Sequence, residues 1–245
     1  MNWPLIVATA VTGLAILAAL PALADEAPPV KDDPLESVNR VTSEFNRVVR
    51  GILIDPLVDG YQAVTPEPVQ TGVSNFFSNL SEPVTVVSSL LQGDTENAGN
   101  ATGRFLVNST IGFAGLSDEA GAMGDQQRRD DLGQAFGANG VQSGPHLVLP
   151  ILGPTNFRDL TGDVVTGLIS PLPLAAQVAG GTVEYSDKQD TIHSINTGAV
   201  DPYVAEREAY EKNRDFAITN GTDRDDANFP TFASEPSQDL ANKPK

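Results

Sequence analysis

The chain contains no cysteine. That absence excludes disulfides, thiol catalysis, thiolate-ligated zinc and acylation of a cysteine side chain. Positive charge is scarce too: Lys+Arg 15 stand against Asp+Glu 32, a net charge of −17 over 245 residues. Nucleic-acid binders carry a basic footprint, and this composition is the reverse, so no nucleic-acid partner is expected. The same sign opposes attraction to anionic lipid, which leaves apolar contact as the route to a membrane. The two histidines, His146 and His193, lie far apart and outside any H-E-x-x-H. There is no phosphate loop, no G-x-S-x-G and no G-x-G-x-x-G after a strand. The acidic Asp94 and Glu96 read as a charged first helical turn rather than a general acid/base pair. No catalytic residue, metal site or cofactor is therefore expected, and the chain reads as a non-enzyme. Hydrophobic residues make up 40%, enough for a folded core.

What is present begins with an apolar leader, "MNWPLIVATAVTGLAILAALPALA", without a charged side chain. Small residues at Ala22 and Ala24 fit a signal-peptidase site, so residues 1–24 read as a signal peptide and export follows. An uncleaved membrane anchor is the alternative for this stretch. Residues 25–32, with their prolines and charges, read as an extended linker, and 220–245 as a disordered acidic and polar tail.

Between them the chain is patterned at helical spacing. Asp33 suits an N-cap, Pro34 the first helical position and Glu36 the third, an aspartate form of the capping box. Val38, Val41, Phe45, Val48, Val49, Ile52 and Leu53 then follow at steps of three and four, one helical face. Asp55-Pro56 restarts the chain. Thr65-Pro66 opens a segment with Phe76, Phe77 and Leu80 opposite Asn75, Ser78 and Asn79. Ser81-Glu82-Pro83 starts another, closed by Gly93, and Asp94 caps the next up to Gly112. Thr155-Asn156 and Asp201-Pro202 open two more, the last running to about Thr219. No run alternates with period two for long, so the fold class is mostly α.

Two stretches depart from this pattern. Residues 112–154 are glycine-rich, and within them Gln126 to Asp131 read as a solvated loop. Residues 164–183 carry no charge but are broken by Pro171, Pro173 and Gly180-Gly181. That break makes a broken apolar helix pair more plausible than one spanning helix, whether buried in a core or facing lipid.

Several blocks in order resemble one family. Asp33-Pro34-Leu35-Glu36 with Asn39-Arg40 and Phe45-Asn46, "SNFFSNLSEP" (74–83), "LLQGD" (90–94), "RFLVNSTIGFAGLSDEAG" (104–121), "DLGQAFGANGVQSGPHLVLPILGPTNFRD" (131–159) and Asp201-Pro202-Tyr203 with Arg207, Tyr210 and Arg214 are similar to the MlaA/VacJ family of outer-membrane phospholipid-transport lipoproteins. The resemblance covers residues 33–219. The chain departs from it in lacking the lipobox cysteine and in placing His146 where an aromatic residue, usually tyrosine, is expected.

The resemblance implies a ring-like, membrane-embedded arrangement of amphipathic helices around a central channel, on the periplasmic side of the outer membrane beside a porin trimer. It implies removal of mislocalised phospholipid from the outer leaflet, maintaining lipid asymmetry, and delivery to a periplasmic lipid-carrier protein. On that reading Phe45, Asn46, Asn75, Phe76, Asn79, Arg104, Asp118, Arg158 and Asp159 are lipid-channel candidates, and Leu168 and Leu174 face the membrane. Two other functions fit the composition: a soluble periplasmic scaffold that binds no lipid, and a phospholipid hydrolase, which would need a nucleophile and base that the motifs do not supply.

Overall fold

The computed structural model describes residues 33–169 and 174–220. The leader with Ala22 and Ala24, the linker, the segment 170–173 and the tail from 221 onward lie outside the described residues, as does the side chain of Leu174. The described chain is mostly helical. It runs α1 (Glu36–Val49), a π-helical turn (Arg50–Ile54), α2 (Asp55–Val64), α3 (Glu67–Gln92), α4 (Thr95–Thr110), the one-turn α5 (Glu119–Ala122), α6 (Leu132–Ala138), strands β1 (His146–Leu149) and β2 (Gly153–Asn156), α7 (Phe157–Ile169), α8 (Leu174–Gly198) and α9 (Pro202–Ile218).

Helix ends follow side-chain chemistry where a carboxylate or amide reaches the orphan backbone N–H groups. Asp94 accepts from Asn97 N at 2.9 Å, Asn156 from Asp159 N at 2.9 Å, and Asp201 from Tyr203 N at 3.1 Å. Gly93 closes α3 at φ 79°, with its N–H on Leu90 O, a left-handed turn that a Cβ would strain. The expected cap at Asp33 is different. Its carboxylate accepts from Leu35 N and also takes the hydroxyl of Tyr203, so it fastens α9 to α1, while Glu36 turns to Arg40 at 2.7 Å.

Three expected breaks are continuous, one of them Gly180-Gly181, which lies inside α8. Asp55-Pro56 joins α2 to α1 through the π turn, which absorbs the ring of Pro56 and its missing donor without ending the helix. Pro83 lies inside α3, a single helix from Glu67 to Gln92, because Glu82, Thr85, Ser88 and Ser89 on its buried face hold it in place. The antiparallel β1–β2 hairpin, with His146 opposite Asn156 and Leu149 opposite Gly153, is an addition to the mostly α reading. Strands of four residues are too short to show alternation. Their edge is supplied by α1. Asn39 donates to His146 O at 3.0 Å and accepts from Val148 N at 3.0 Å; two turns on, Asn46 donates to Leu149 O at 2.9 Å and accepts from Ile151 N at 2.6 Å. Each amide thus satisfies backbone groups that a neighbouring strand would otherwise pair.

Among the described residues much of the interior is polar, and many large apolar side chains stand outside. Among the described residues the bulkiest fully buried side chains include Glu82, Asn39, Asn97 and Thr42, and the buried apolar ones are four alanines with Val58, Leu132, Val148 and Tyr203. Ile52, Leu57, Val64, Phe113, Leu152 and Leu168 stand exposed. On α1 the apolar face carrying Val38 and Val48 points outward, while Asn39, Thr42, Ser43 and Asn46 point in. No described helix is long and apolar enough to cross a membrane.

Candidate functional site

The polar residues of α3 recur at helical spacing, so they share one face: Thr71, Ser74, Asn75, Ser78 and Ser81 line a cavity of about 710 Å³. The facing wall is α8, through Gly180, Val183, Glu184, Asp187, Lys188 and Thr191. Gln127 and Arg129, from the loop before α6, form the third side. The walls are joined by polar contacts. Ser74 donates to Asp187 at 2.7 Å, Arg129 donates to Ser78 at 2.5 Å, and Gln62 of α2 donates to Ser186 at 2.9 Å. Glu184 receives both local cations, Lys188 at 2.7 Å and Arg129 at 3.7 Å. Burial alone would raise the Glu184 carboxyl, but the two cations hold it below the usual glutamate range. Among the described residues the large apolar surfaces here are Val183 and the ring of Phe77, which packs edge-on against Phe76 with centroids 5.6 Å apart.

Beneath it lies a second, water-sized space of about 30 Å³, lined by Asn75, Ser78, Arg104, Asn108, Asp118 and Gln127. Asn75, Ser78 and Gln127 border both spaces. Arg104 is buried and its fork is occupied: it donates to Glu82 at 3.0 Å, to Asp118 at 2.9 Å and to the carbonyl of Asp125. Gln127 adds a second donor to Glu82 at 2.9 Å. Burial pushes the Glu82 carboxyl up despite these partners. Burial would also raise Asp118, yet Asn108, the Gly121 N–H and Arg104 together hold it below the ordinary aspartate range. Asn79 is buried and donates to Ser109 at 2.9 Å, tying α3 to the end of α4.

The channel candidates therefore divide. Asn75, Arg104 and Asp118 meet at one place, with Asn79 and Phe76 on the same helix as Asn75. Phe45, Asn46, Arg158 and Asp159 line neither space. Phe45 sits half-buried on α1, and Asn46 fastens the hairpin. Arg158 and Asp159 are buried together at 2.8 Å, and Asp159 also takes Tyr210 at 2.5 Å and Arg214 at 2.9 Å, which binds α9 to α7. Arg214 in turn reaches Asp131 at 2.6 Å. These are fastenings: buried ionised groups are tolerated because each has several partners. Leu168 is 80% exposed on α7.

The cavity residues that motifs did not reveal are Arg129, Glu184, Asp187 and Lys188. The loop expected to be solvated is pinned along its length: Gln127 on Glu82, Arg128 on Asp94, Arg129 on Ser78, and Asp130 on Ser89. The signal that points to the cavity is the Ser/Thr/Asn stripe of α3, which continues to the buried Thr85, Ser88 and Ser89 where a core helix would carry aliphatic residues. Among the described residues no cluster of three His, Asp or Glu side chains could hold a metal ion.

The comparisons agree with this architecture. The model of the MlaA lipoprotein family matches residues 31–217. The intermembrane phospholipid transport system lipoprotein MlaA of Escherichia coli (strain K12) is 32% identical over 201 residues, 78% of this chain and 80% of that protein. Its counterpart of the same name in Haemophilus influenzae is 32% identical over 205 residues, 78% of this chain and 81% of that one. A chain solved in work on the structural basis for maintenance of bacterial outer membrane lipid asymmetry superposes with a TM-score of 0.68 at 30% identity, covering 77% of this chain and 100% of its own. The chain belongs to the MlaA lipoprotein family.

Proposed function

We propose that this protein carries phospholipid between the membranes of the envelope, withdrawing misplaced lipid from the outer leaflet of the outer membrane and so maintaining lipid asymmetry. The observation that carries the reading is the reversed polarity of the fold. Exposed Ile52, Leu57, Phe113, Leu152 and Leu168 suit hydrocarbon, while the α3–α8 cavity presents hydroxyls, amides and charges. Moving a phospholipid is opposed chiefly by dragging its head group through hydrocarbon without hydrogen-bond partners, and a polar cavity inside an apolar shell removes that penalty. No covalent chemistry is needed, which accords with a non-enzyme. The names of the MlaA relatives support transport, and the solved relative supports the connection with outer-membrane lipid asymmetry.

Within this reading the protein works from the periplasmic side of the outer membrane, held there by its exposed aliphatic side chains. A porin trimer is its membrane neighbour, a soluble periplasmic carrier accepts the lipid, and Asn75 with Ser78 and Arg129 lines the path.

The test is complementation of a deletion strain, scored by outer-leaflet phospholipid. Ser74→Trp places a large ring in the cavity. The variant should fold and reach the membrane yet leave outer-leaflet phospholipid at the level of the deletion strain. If the deletion itself leaves that phospholipid unchanged, in a strain without another transporter, the transport reading falls.

A further inference from the structure

The charges of the cavity are arranged in a way that transport alone does not demand. Lys188 and Arg129 come from different elements but converge on a single oxygen of Glu184, at 2.7 and 3.7 Å. An anionic oxygen placed at that point would meet an ammonium and a guanidinium together. Glu184 occupies the position in the absence of a competitor. About half of the side chain is exposed, so it can swing toward solvent.

One turn further along α8, Asp187 faces the same cavity. It accepts from the Ser74 hydroxyl at 2.7 Å, and among the described residues no cation lies within ion-pair reach of it. In a chain this acidic the surrounding field is negative, so a carboxylate facing the cavity without a counter-ion is poised for a cation. The spacing is informative. Residues three apart on a helix stand about 5–6 Å from each other. In an ethanolamine phosphodiester, phosphorus and nitrogen are separated by one oxygen and two carbons, a reach of about 4–5 Å from bonds near 1.5 Å.

We propose that this cavity is a head-group subsite selective for zwitterionic, amine-bearing phosphodiesters, with the phosphate taken by Arg129 and Lys188 and the primary amine by Asp187 and the displaced Glu184. Bound in this way, the head group brings one negative and one positive charge to two cations and two carboxylates, and every charge finds an opposite. A glycerol head group brings only the negative charge and leaves Asp187 unpaired, facing like charge. A choline head group brings the positive charge without an N–H donor. The order of preference is therefore ethanolamine, then choline, then glycerol. This inference rests on the transport reading and deepens it.

The experiment uses the full-length protein in a nonionic detergent. The probes are dihexanoyl phosphatidylethanolamine, phosphatidylcholine and phosphatidylglycerol below their micellar concentrations, with dihexanoylglycerol as the lipid lacking a phosphate and glycerophosphoethanolamine as the free head group. Binding of the ethanolamine lipid is expected to be about tenfold tighter than that of the glycerol lipid, the scale of one charged hydrogen bond. Asp187→Asn, which keeps an acceptor for Ser74, should abolish that preference. Arg129→Gln with Lys188→Gln should weaken all three phospholipids about tenfold or more and leave dihexanoylglycerol unchanged. Circular dichroism confirms that each variant is folded; if Asp187→Asn fails to fold, Asp187→Ser is used.

Equal binding of the three phospholipids, or a preference that survives Asp187→Asn, overturns the subsite while leaving transport intact. If glycerophosphoethanolamine binds as tightly as the lipid, the site serves a soluble phosphodiester and the lipid assignment is overturned. If the wild-type protein binds none of the phospholipids, the transport reading itself fails.

Discussion

Replacing Leu168 with aspartate tests whether the exposed apolar surface of the fold meets lipid. Leu168 is 80% exposed at the end of α7. Fully burying a leucine side chain in an apolar phase is worth about 1.5–3 kcal/mol. Four-fifths of that, taken from lipid, is roughly 2 kcal/mol, or about thirtyfold in partition, before any cost of bringing a carboxylate to the interface. Leu168→Asp should therefore lose at least about thirtyfold in binding to vesicles of outer-membrane inner-leaflet composition, measured by flotation at high salt, with an unchanged far-ultraviolet circular dichroism spectrum. High salt removes weak electrostatic contacts and leaves the apolar ones. The control is Leu132→Asp in α6, where the side chain is only 4% exposed; there an unpaired carboxylate is buried and the protein should unfold. Vesicle binding unchanged in Leu168→Asp, or loss of the fold in both variants, would refute the outward-apolar assignment.

Three further outcomes follow from the packing. Asn39→Leu removes both amide contacts to β1 and leaves the Val148 N–H and His146 carbonyl unpaired, so unfolding in denaturant should cost about 2–5 kcal/mol less. Gly133→Ala puts a Cβ 2.7 Å from the Cα of Asp159; backbone must yield, and thermal unfolding should report a loss of about 1–3 kcal/mol. His146 is buried between Tyr203 and Tyr210 with neither ring nitrogen bonded, and its pKa is lowered, chiefly by burial and also by Arg207, against the opposing pull of Glu211 and Asp33. A histidine whose folded pKa lies below its unfolded value contributes stability that is complete above the unfolded pKa and is lost progressively as pH falls from there through the folded pKa. Wild type should therefore lose stability from about pH 7 downward, and His146→Phe should flatten that part of the profile, as read from unfolding midpoints at neutral and mildly acid pH.

Local chemistry made the helix ends legible. Asp94, Asn156, Asp201 and Gly93 act through groups within a few residues of themselves, and each does in the fold what its spacing implies. The expectations that failed depend on distant partners. Asp33 keeps only the Leu35 N–H at its own helix start and reaches beyond it because Tyr203 offers a hydroxyl across the fold. Pro83 stays inside α3 because burial of Glu82 and Thr85 outweighs one missing backbone donor. The β hairpin exists because two asparagines of α1 stand in for a neighbouring strand, at a separation of more than a hundred residues. The charged run from Gln127 to Asp131 reads locally as solvated, and only the assembled fold brings Glu82, Asp94, Ser78 and Ser89 to it.

Sidedness was the larger ambiguity, and periodicity could not resolve it. A helix with apolar residues at steps of three and four has two faces, and the pattern is identical whether the apolar face meets a core or lipid. What distinguishes the cases is the quality of the polar face. A helix on the surface of a water-soluble protein turns long charged side chains outward, since these hydrate well. The inward face of α1 carries Asn39, Thr42, Ser43 and Asn46, and that of α3 carries Asn79, Thr85, Ser88 and Ser89. Such short groups pack closely and satisfy one another, as a polar interior requires. Where charge does enter the cavity, Arg129 from the loop and Lys188 from α8 meet on Glu184, while Asp187 is held by the Ser74 hydroxyl. The short polar stripe, read together with the outward aliphatic one, is thus the sequence feature that reports sidedness, and on α3 it continues from the cavity wall at Thr71, Ser74, Asn75 and Ser78 without any catalytic motif.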